Sequence, residues 1–358
     1  MIKSITIYHI KLPMLITYRL SFRDINFLES SIVEIETNGI ITTGESTPLP
    51  GYSHESIDSV LKNQMHWARK LTGKDIEAAM KLIEHEMERC PFAATAFYTA
   101  MELSRSKKES PFGTSDFKHK DISLAGIVSS NDFNEIREQA LGQQKEGFSV
   151  IKIKVGLPSR TVSQDIEKVQ YVHGLIPEIA LRVDANKGYN IKQAREFISH
   201  TQDCNIEEFE QPLSVGQWDE QKEIFKMRDK VPLMLDESIN TMRDLDRAIG
   251  NECCDYVKFK LMKHGSFRRI NQLIERALSA NLQVIIGNGV QTEWACMQEA
   301  QLLARIDMPK AGENNGFLKQ KISLLKNPIF FCNGMMTVDE VEMSRDTLIE
   351  NSLNIYRY

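Results

Sequence analysis

No run of apolar residues approaches the ~20 needed to cross a bilayer; the longest, such as Val284 to Gly289, have the length of a strand. Positive charge is not in excess. The 44 Lys and Arg stand against 49 Asp and Glu, a formal net charge of −5, so nothing in bulk draws the chain to nucleic acid or an anionic membrane. Cysteine is sparse, six in 358 residues. Cys90, Cys204, Cys253, Cys254, Cys296 and Cys332 show no CxxC spacing, and a chain this long needs no disulfide framework. They are expected to be reduced and mostly buried in a cytoplasmic protein. The N-terminal MIKSITIYHIKL alternates apolar and polar residues, unlike the basic segment and unbroken apolar stretch of an export signal. With only 19 Gly and 11 Pro, 42% apolar and 26% charged residues, the composition excludes disordered and fibrous classes. A small-molecule partner remains, with neither nucleic acid nor membrane.

The first ~107 residues divide into a β part and a helical part. Ser31–Thr37 and Ile40–Ser46 are β-branched runs joined by Asn38-Gly39, a dipeptide suited to a two-residue turn with positive φ. From Ser53 the period changes, predicting helices near 54–72, 76–88 and 92–106, the first capped by Ser53. The Pro-, Gly- and charge-rich stretch 107–120 predicts a boundary.

Beyond it, short apolar strands ending in charged residues alternate with amphipathic helical stretches. The strand ends fall at Lys154, Asp184, Glu210, Asp236 and Lys260, at intervals of 30, 26, 26 and 24 residues. Each interval is one βα unit, so the sheet should be parallel with helices outside. Asp121–Val128, Gln283–Ile286 and the region leading to Glu313 bring the count to seven or eight. No GxGxxG or Walker loop follows a strand, whereas charged residues recur at strand ends; both facts favour a closed barrel, where those ends meet at one mouth, over an open doubly wound sheet. The last residues, with Asn333-Gly334, read as a second hairpin whose segment returns to the N-terminal sheet. The expected organisation is residues 1–120 as a cap, 121–320 as a barrel and 321–358 returning to the cap.

Three acids occupy three successive strand ends: Asp184 in LRVDANKGY, Glu210 in IEEFEQPL and Asp236 in PLMLDESI. Gathered at one mouth they repel unless a cation binds, and one hard oxygen donor per strand suits Mg²⁺. Lysines flank them in sequence. Lys152 and Lys154 share one face of a strand, and Lys260 ends the strand after Asp236. A lysine acts as a base only when neutral; Lys152 beside Lys154, and Lys258 near Lys260, together with a nearby divalent cation, are expected to lower the pKa of the two terminal lysines.

The order KxK, Asp-x-Asn, Glu-Gln-Pro, Asp-Glu-Ser and Lys, with ITTGESTPLPGYSHES near residues 41–56, resembles the enolase superfamily and within it the muconate-lactonizing-enzyme subgroup. The resemblance implies an α/β fold, a modified (β/α)₇β TIM-type barrel with a discontinuous α+β capping domain, and Mg²⁺ on Asp184, Glu210 and Asp236. It also implies Lys154 and Lys260 as an acid/base pair on opposite faces of a carboxylate substrate, with Lys152 tuning Lys154, and a homo-oligomer. The implied chemistry is removal of the proton α to a carboxylate to give an enediolate. Asn186 and Glu237 are expected to orient the metal ligands by hydrogen bonds.

For the substrate, Arg23 aligns with an arginine by which dipeptide epimerases hold a side-chain carboxylate, and Glu313 and Asn315 of GENNGF stand where those enzymes carry an Asp-x-Asp pair for the substrate ammonium. Muconate-lactonizing enzymes have a Glu at the position of Glu313, so that residue reads both ways. Asn288, between Gly287 and Gly289, is a further candidate for substrate binding. The leading expectation is epimerisation or racemisation of a dipeptide or N-acylamino acid. The alternative is a muconate-type cycloisomerase or an o-succinylbenzoate synthase-type lyase.

Overall fold

The computed structural model describes residues 1–19, 24–105 and 118–358. Arg23 and most of the 107–120 stretch therefore lie outside the described residues. β1 (Ile2–Arg19), β2 (Asp24–Thr37) and β3 (Ile40–Ser46) form an antiparallel meander. Asn38 and Gly39, both at positive φ, make its two-residue turn as their sequence requires. One face of this sheet, with Ile5, Ile7, Val33 and Ile35, packs on α1 (Ile57–Leu71), α2 (Ile76–Glu84) and α3 (Pro91–Ser104) around Trp67, Met80, Ile83 and Phe97. β3 comes so close to α3 that a Cβ on Gly44 would lie 1.9 Å from the Ala96 carbonyl oxygen.

The first helix starts three residues later than expected. The hydroxyl of Ser53 donates to the carbonyls of Leu49 and Glu55, and Ser56 caps the helix in a reciprocal pair with Ser59, leaving residues 47–56 as a cap loop.

β4 (Asp121–Ser123) leads into β5 (Gly126–Val128), β6 (Val150–Lys154), β7 (Ala180–Asp184), β8 (Ile206–Glu210), β9 (Leu233–Leu235), β10 (Tyr256–Phe259) and β11 (Gln283–Ile286). β5 to β11 are all parallel and adjacent in sequence order. The short segment 312–313 closes the circle. Glu313 N donates to the carbonyl of Ile286, Gly312 N to that of Ser123, and Ala125 N to that of Gly312. The outward faces of the strands, including Leu181, Val183 and Phe209, meet Val169, Phe197, Ile224 and Ile270 of the surrounding helices. Such two-sided burial is why the strands read as nearly continuous apolar runs.

β12 (Phe331–Cys332) and β13 (Met335–Thr337) form the hairpin expected at Asn333-Gly334, but it pairs with β4 rather than with the N-terminal sheet. β14 (Ser352–Arg357) makes the return, pairing antiparallel with β1 to give the order β14-β1-β2-β3. The cap is thus discontinuous. Buried glutamates dock it: Glu45 of β3 accepts from Thr292 N, Ala295 N and the Thr292 hydroxyl at the start of the helix Glu293–Leu303. Glu102 of α3 accepts from Phe267 N and Arg268 N at the start of the helix Phe267–Ser279. No described helix is long and apolar enough to cross a membrane.

Candidate active site

Strand register builds the site in layers. Lys154, Asp184 and Glu210 are direct neighbours across β6, β7 and β8, and two residues earlier Lys152, Arg182 and Glu208 are neighbours in the same way. Side chains two apart on a strand share a face, so both rows point into the barrel. Below them the interior is apolar, with Ala125, Val150 and Ala311 in one cluster and Met234, Tyr256 and Ile285 in another.

In the upper row the acids are buried and held by ammonium groups. Lys154 Nζ donates to Asp184 Oδ2 at 2.5 Å, and Lys152 Nζ lies 2.9 Å from the same oxygen while also donating to Glu210. Asp236, just past β9, accepts from Lys260 at 2.5 Å and Lys263 at 3.1 Å. Burial pushes Asp184 and Asp236 up, but Lys152 and Lys154 on one, and Lys260 and Lys263 on the other, carry both well below the ordinary carboxylate range. Glu210 goes the other way, raised to about 7 by burial and by Asp184.

The expected lowering of Lys260 is not what this charge arrangement produces. Burial pulls its pKa down, yet Asp236, Glu210 and Glu237 hold it above the ordinary lysine value. Lys152 is likewise held up, by Asp184, Glu210 and Glu313 against burial. Lys152 lies 2.9 Å from Asp184 and 2.8 Å from Glu313, and Lys260 2.5 Å from Asp236, contacts at which attraction to the carboxylates outweighs burial.

The lower row is ionic too, and two of its members, Arg182 and Glu208, were not singled out from sequence. Glu313 Oε2 accepts from Lys152 at 2.8 Å and from Lys258, and Arg182 donates to its Oε1 at 3.3 Å. Lys258 also reaches both oxygens of Glu210 at 3.2 Å. Both carboxylate oxygens of Glu208 are buried without a hydrogen-bond partner among the described residues, and burial with Glu210 beside it drives its pKa well up. Inward-facing charges two residues before four of the five strand ends, Lys152, Arg182, Glu208 and Lys258, were the available signal; of these only Lys152 and Lys258 were taken up.

Asn186 sits at positive φ in the turn after β7. Its N–H donates to Asp184 Oδ1 at 2.9 Å, its side-chain oxygen accepts from Lys154 at 3.0 Å, and its amide donates to Glu237 at 3.4 Å. Asn288 lies against the opening, its backbone N–H held by buried Glu299. Gly287 before it, at φ +132°, allows the close pass of the 313–314 backbone, where a Cβ would meet Asn314 N at 2.4 Å. Asn315 donates to the Ala125 carbonyl at 2.7 Å and accepts from Lys319 at 2.5 Å. Tyr52, not singled out from sequence, enters from the cap loop. Its hydroxyl accepts from Lys260 Nζ at 2.8 Å and donates to Asp236 Oδ1 at 3.1 Å. One cleft is lined by Leu49 and Tyr52 of the cap together with Lys152, Lys154, Asp184, Asn186, Glu210, Lys258, Lys260, Asn288, Glu313 and Asn315.

The donor set fits a hard divalent cation. Asp184, Glu210 and Asp236 give buried carboxylate oxygens from the ends of three adjacent strands; Lys152 bridges the first two, and Asp236 pairs with Lys260 and Lys263. Oε2 of neighbouring Glu237 is buried without a partner among the described residues. Glu208, Glu210 and Glu313 also offer oxygens within 4.8 Å of one another. All three, however, already face one or more of the fixed cations Arg182, Lys152 and Lys258.

Residues 135–342 match the model of the family described as Enolase C-terminal domain-like, and residues 2–85 that of the MenC N-terminal domain. Among curated relatives, an N-succinyl-L-Arg/Lys racemase of Bacillus cereus is 28% identical over 309 residues, covering 82% of this chain and 81% of the relative. An L-Ala-D/L-Glu epimerase of Thermotoga maritima is 29% identical over 283 residues, covering 76% and 78%. The fold matches that of a dipeptide epimerase from Cytophaga hutchinsonii complexed with Mg and the dipeptide D-Ala-L-Val, at a TM-score of 0.88 and 23% identity over 99% of each chain. It also matches the muconate lactonizing enzyme of Pseudomonas putida, at 0.88 and 19% over 98% of this chain and 99% of that one.

Proposed function

The chain belongs to the Enolase C-terminal domain-like family and is an isomerase of its epimerase and racemase branch, and on that premise we propose that it inverts the α-carbon of a dipeptide or N-acylamino acid by two-base proton transfer. The observation that carries this reading is the placing of two lysines. Lys154 on β6 and Lys260 after β10 stand on either side of the strands bearing Asp184, Glu210 and Asp236. A substrate carboxylate drawn to that acid-lined cation site has its α-carbon between two amines.

In this reading one lysine, neutral, takes the α-proton while the other, as an ammonium, delivers one to the opposite face; the carbon keeps one hydrogen and changes hand. Asp184, Glu210 and Asp236 would hold Mg²⁺, which supplies positive charge as the carboxylate becomes an enediolate. Asn186 keeps Lys154 aligned with Asp184, and its amide orients Glu237. Lys152 and Lys258 keep Glu313 neutralised beneath the substrate. The cap loop excludes water from the cleft through Leu49 and Tyr52. Arg23 and Asn315 belong to the proposal as substrate contacts, and a cytoplasmic homo-oligomer as its setting.

The test is a panel of dipeptides, N-succinyl and N-acetyl amino acids and dicarboxylates in D₂O with MgCl₂, followed by mass spectrometry and chiral chromatography. Deuterium at one α-carbon with inversion is expected. Turnover of a dicarboxylate alone would move the protein to the cycloisomerase or lyase alternative, and Lys154→Ala exchanging as fast as wild type would remove the base assignment.

A further inference from the structure

The two lysines are not held alike. Among the described residues the Lys154 amine pairs with Asp184 and Asn186, barrel residues on the next strand and the turn that follows it. Lys260 pairs with Asp236 of the barrel but also with Tyr52 of the cap. The Tyr52 hydroxyl accepts from Nζ at 2.8 Å, and the same Nζ lies 4.1 Å from the centroid of the Tyr52 ring. The loop carrying Tyr52 is braced by its own hydrogen bonds, from Tyr52 N and Ser53 N to the Leu49 carbonyl.

We propose that Tyr52 is a positioning residue for Lys260 and not for Lys154, so that the cap controls proton transfer at one face of the substrate only. This rests on the reading of Lys154 and Lys260 as the acid/base pair. A lysine amine rides on a flexible four-carbon stem and must be placed over the α-carbon to within about an ångström to react well. Asp236 restrains Lys260 from the barrel side. Tyr52 adds a hydrogen bond from the amine and the face of an aromatic ring that attracts its cationic form, while its own hydroxyl proton goes to Asp236 Oδ1. Among the described residues Lys154 has no partner on the cap, its amine being held by Asp184 and Asn186 of the barrel. Cap closure and chemistry are thereby linked through one side chain, on one side.

The experiment uses Tyr52→Phe, which keeps the ring and removes the hydroxyl, and Tyr52→Leu, which removes both. Each enantiomer of the best N-acylamino acid of the panel is incubated separately in D₂O, and α-hydrogen exchange is scored apart from inversion. Lys154→Ala identifies which enantiomer presents its α-hydrogen to which lysine. From the enantiomer facing Lys154, exchange with retention should stay within about threefold of wild type in Tyr52→Phe while inversion falls about tenfold or more. From the enantiomer facing Lys260, exchange and inversion should fall together, and Tyr52→Leu should deepen both losses to roughly a hundredfold. A merely structural role would slow both enantiomers equally, and that result, or no loss from either, overturns the proposal. Thermal unfolding of both variants separates misfolding from misplacement. Wild type that exchanges no member of the panel overturns the proton-transfer reading itself, and this inference with it, an outcome distinct from symmetric loss.

Discussion

Lys258 is 2% exposed and shares two carboxylates, Glu210 and Glu313. Substituting Lys258→Met keeps an unbranched side chain of similar length but removes one of three cations, Lys152, Arg182 and Lys258, that balance Glu208, Glu210 and Glu313. Breaking a buried ion pair by deleting one partner costs about 3–5 kcal/mol, chiefly because the remaining charge has lost its compensation. Unfolding 358 residues releases roughly 0.75 kcal/mol/K of entropy, so a loss of 4 kcal/mol lowers the midpoint by about 5 °C. That loss should depend on the divalent cation. If Glu210 is a metal ligand, the cation replaces the missing charge, and the variant binds it more tightly than wild type because Lys258 no longer competes. If the variant binds the cation about a hundredfold more tightly than wild type and the cation saturates both, the gap between them closes by about 2.7 kcal/mol. Differential scanning fluorimetry in EDTA and in 10 mM MgCl₂ should therefore show a drop of about 5 °C without Mg²⁺ and under about 2 °C with it. Leu181→Ala, at a fully buried position facing the helices, is the control, because its cavity costs about 2–5 kcal/mol in either buffer. Equal losses for Lys258→Met with and without Mg²⁺ would refute the claim that Lys258 and the cation share Glu210.

Glu102, buried at the start of the helix Phe267–Ser279, has its pKa raised by burial to about 7. A folded pKa above the unfolded ~4.5 means the native state holds an extra proton between those values. Stability should then fall as pH rises from about 4.5 to 7, by up to about 3 kcal/mol. Glu102→Gln should gain on wild type across that window, measured as midpoint against pH, and parallel curves would contradict the assignment. Glu45→Ala leaves Thr292 N, Ala295 N and the Thr292 hydroxyl without their acceptor. Urea unfolding should show a loss of roughly 3–5 kcal/mol; under 1 kcal/mol would mean that the cap is not docked through Glu45. EDTA should abolish turnover and Mg²⁺ restore it. In calorimetry Asp236→Asn should weaken Mg²⁺ binding at least about tenfold, and unchanged affinity would remove Asp236 from the ligand set.

The barrel was legible because its repeat is local: each βα unit ends in a charged residue at a near-constant interval, and those ends need no knowledge of the rest of the fold. The same logic placed Asp184, Glu210, Asp236, Lys154 and Lys260 around one mouth before any coordinates. What stayed hidden depends on contacts across long separations. Tyr52 meets Lys260 208 residues away, and Glu45 reaches Thr292 247 residues on; no periodicity encodes either. Arg182 sits between Leu181 and Val183, and Glu208 between Glu207 and Phe209, and only the in-register pairing of β6, β7 and β8 reveals that they form a row with Lys152. The helix starting at Ile57 differs from the expected start because Ser53 and Ser56 are equally good caps in sequence, and the choice between them lies in which hydroxyl the turn at Leu49 engages.

The pairing of β14 with β1 also dictates an order of events during synthesis. β1 emerges first, but the strand that completes its sheet is made only after all the barrel strands have been translated. Until then β1 exposes a long unpaired edge, while the barrel's own contacts are mostly between consecutive units and can form as the chain lengthens. β1 to β3 can pair early, and only the β14 strand of the cap sheet waits for the end of synthesis. Tyr52, in the loop between β3 and α1, is made before the strands that bear Lys260 and its neighbours, so its contact with Lys260 must wait for them.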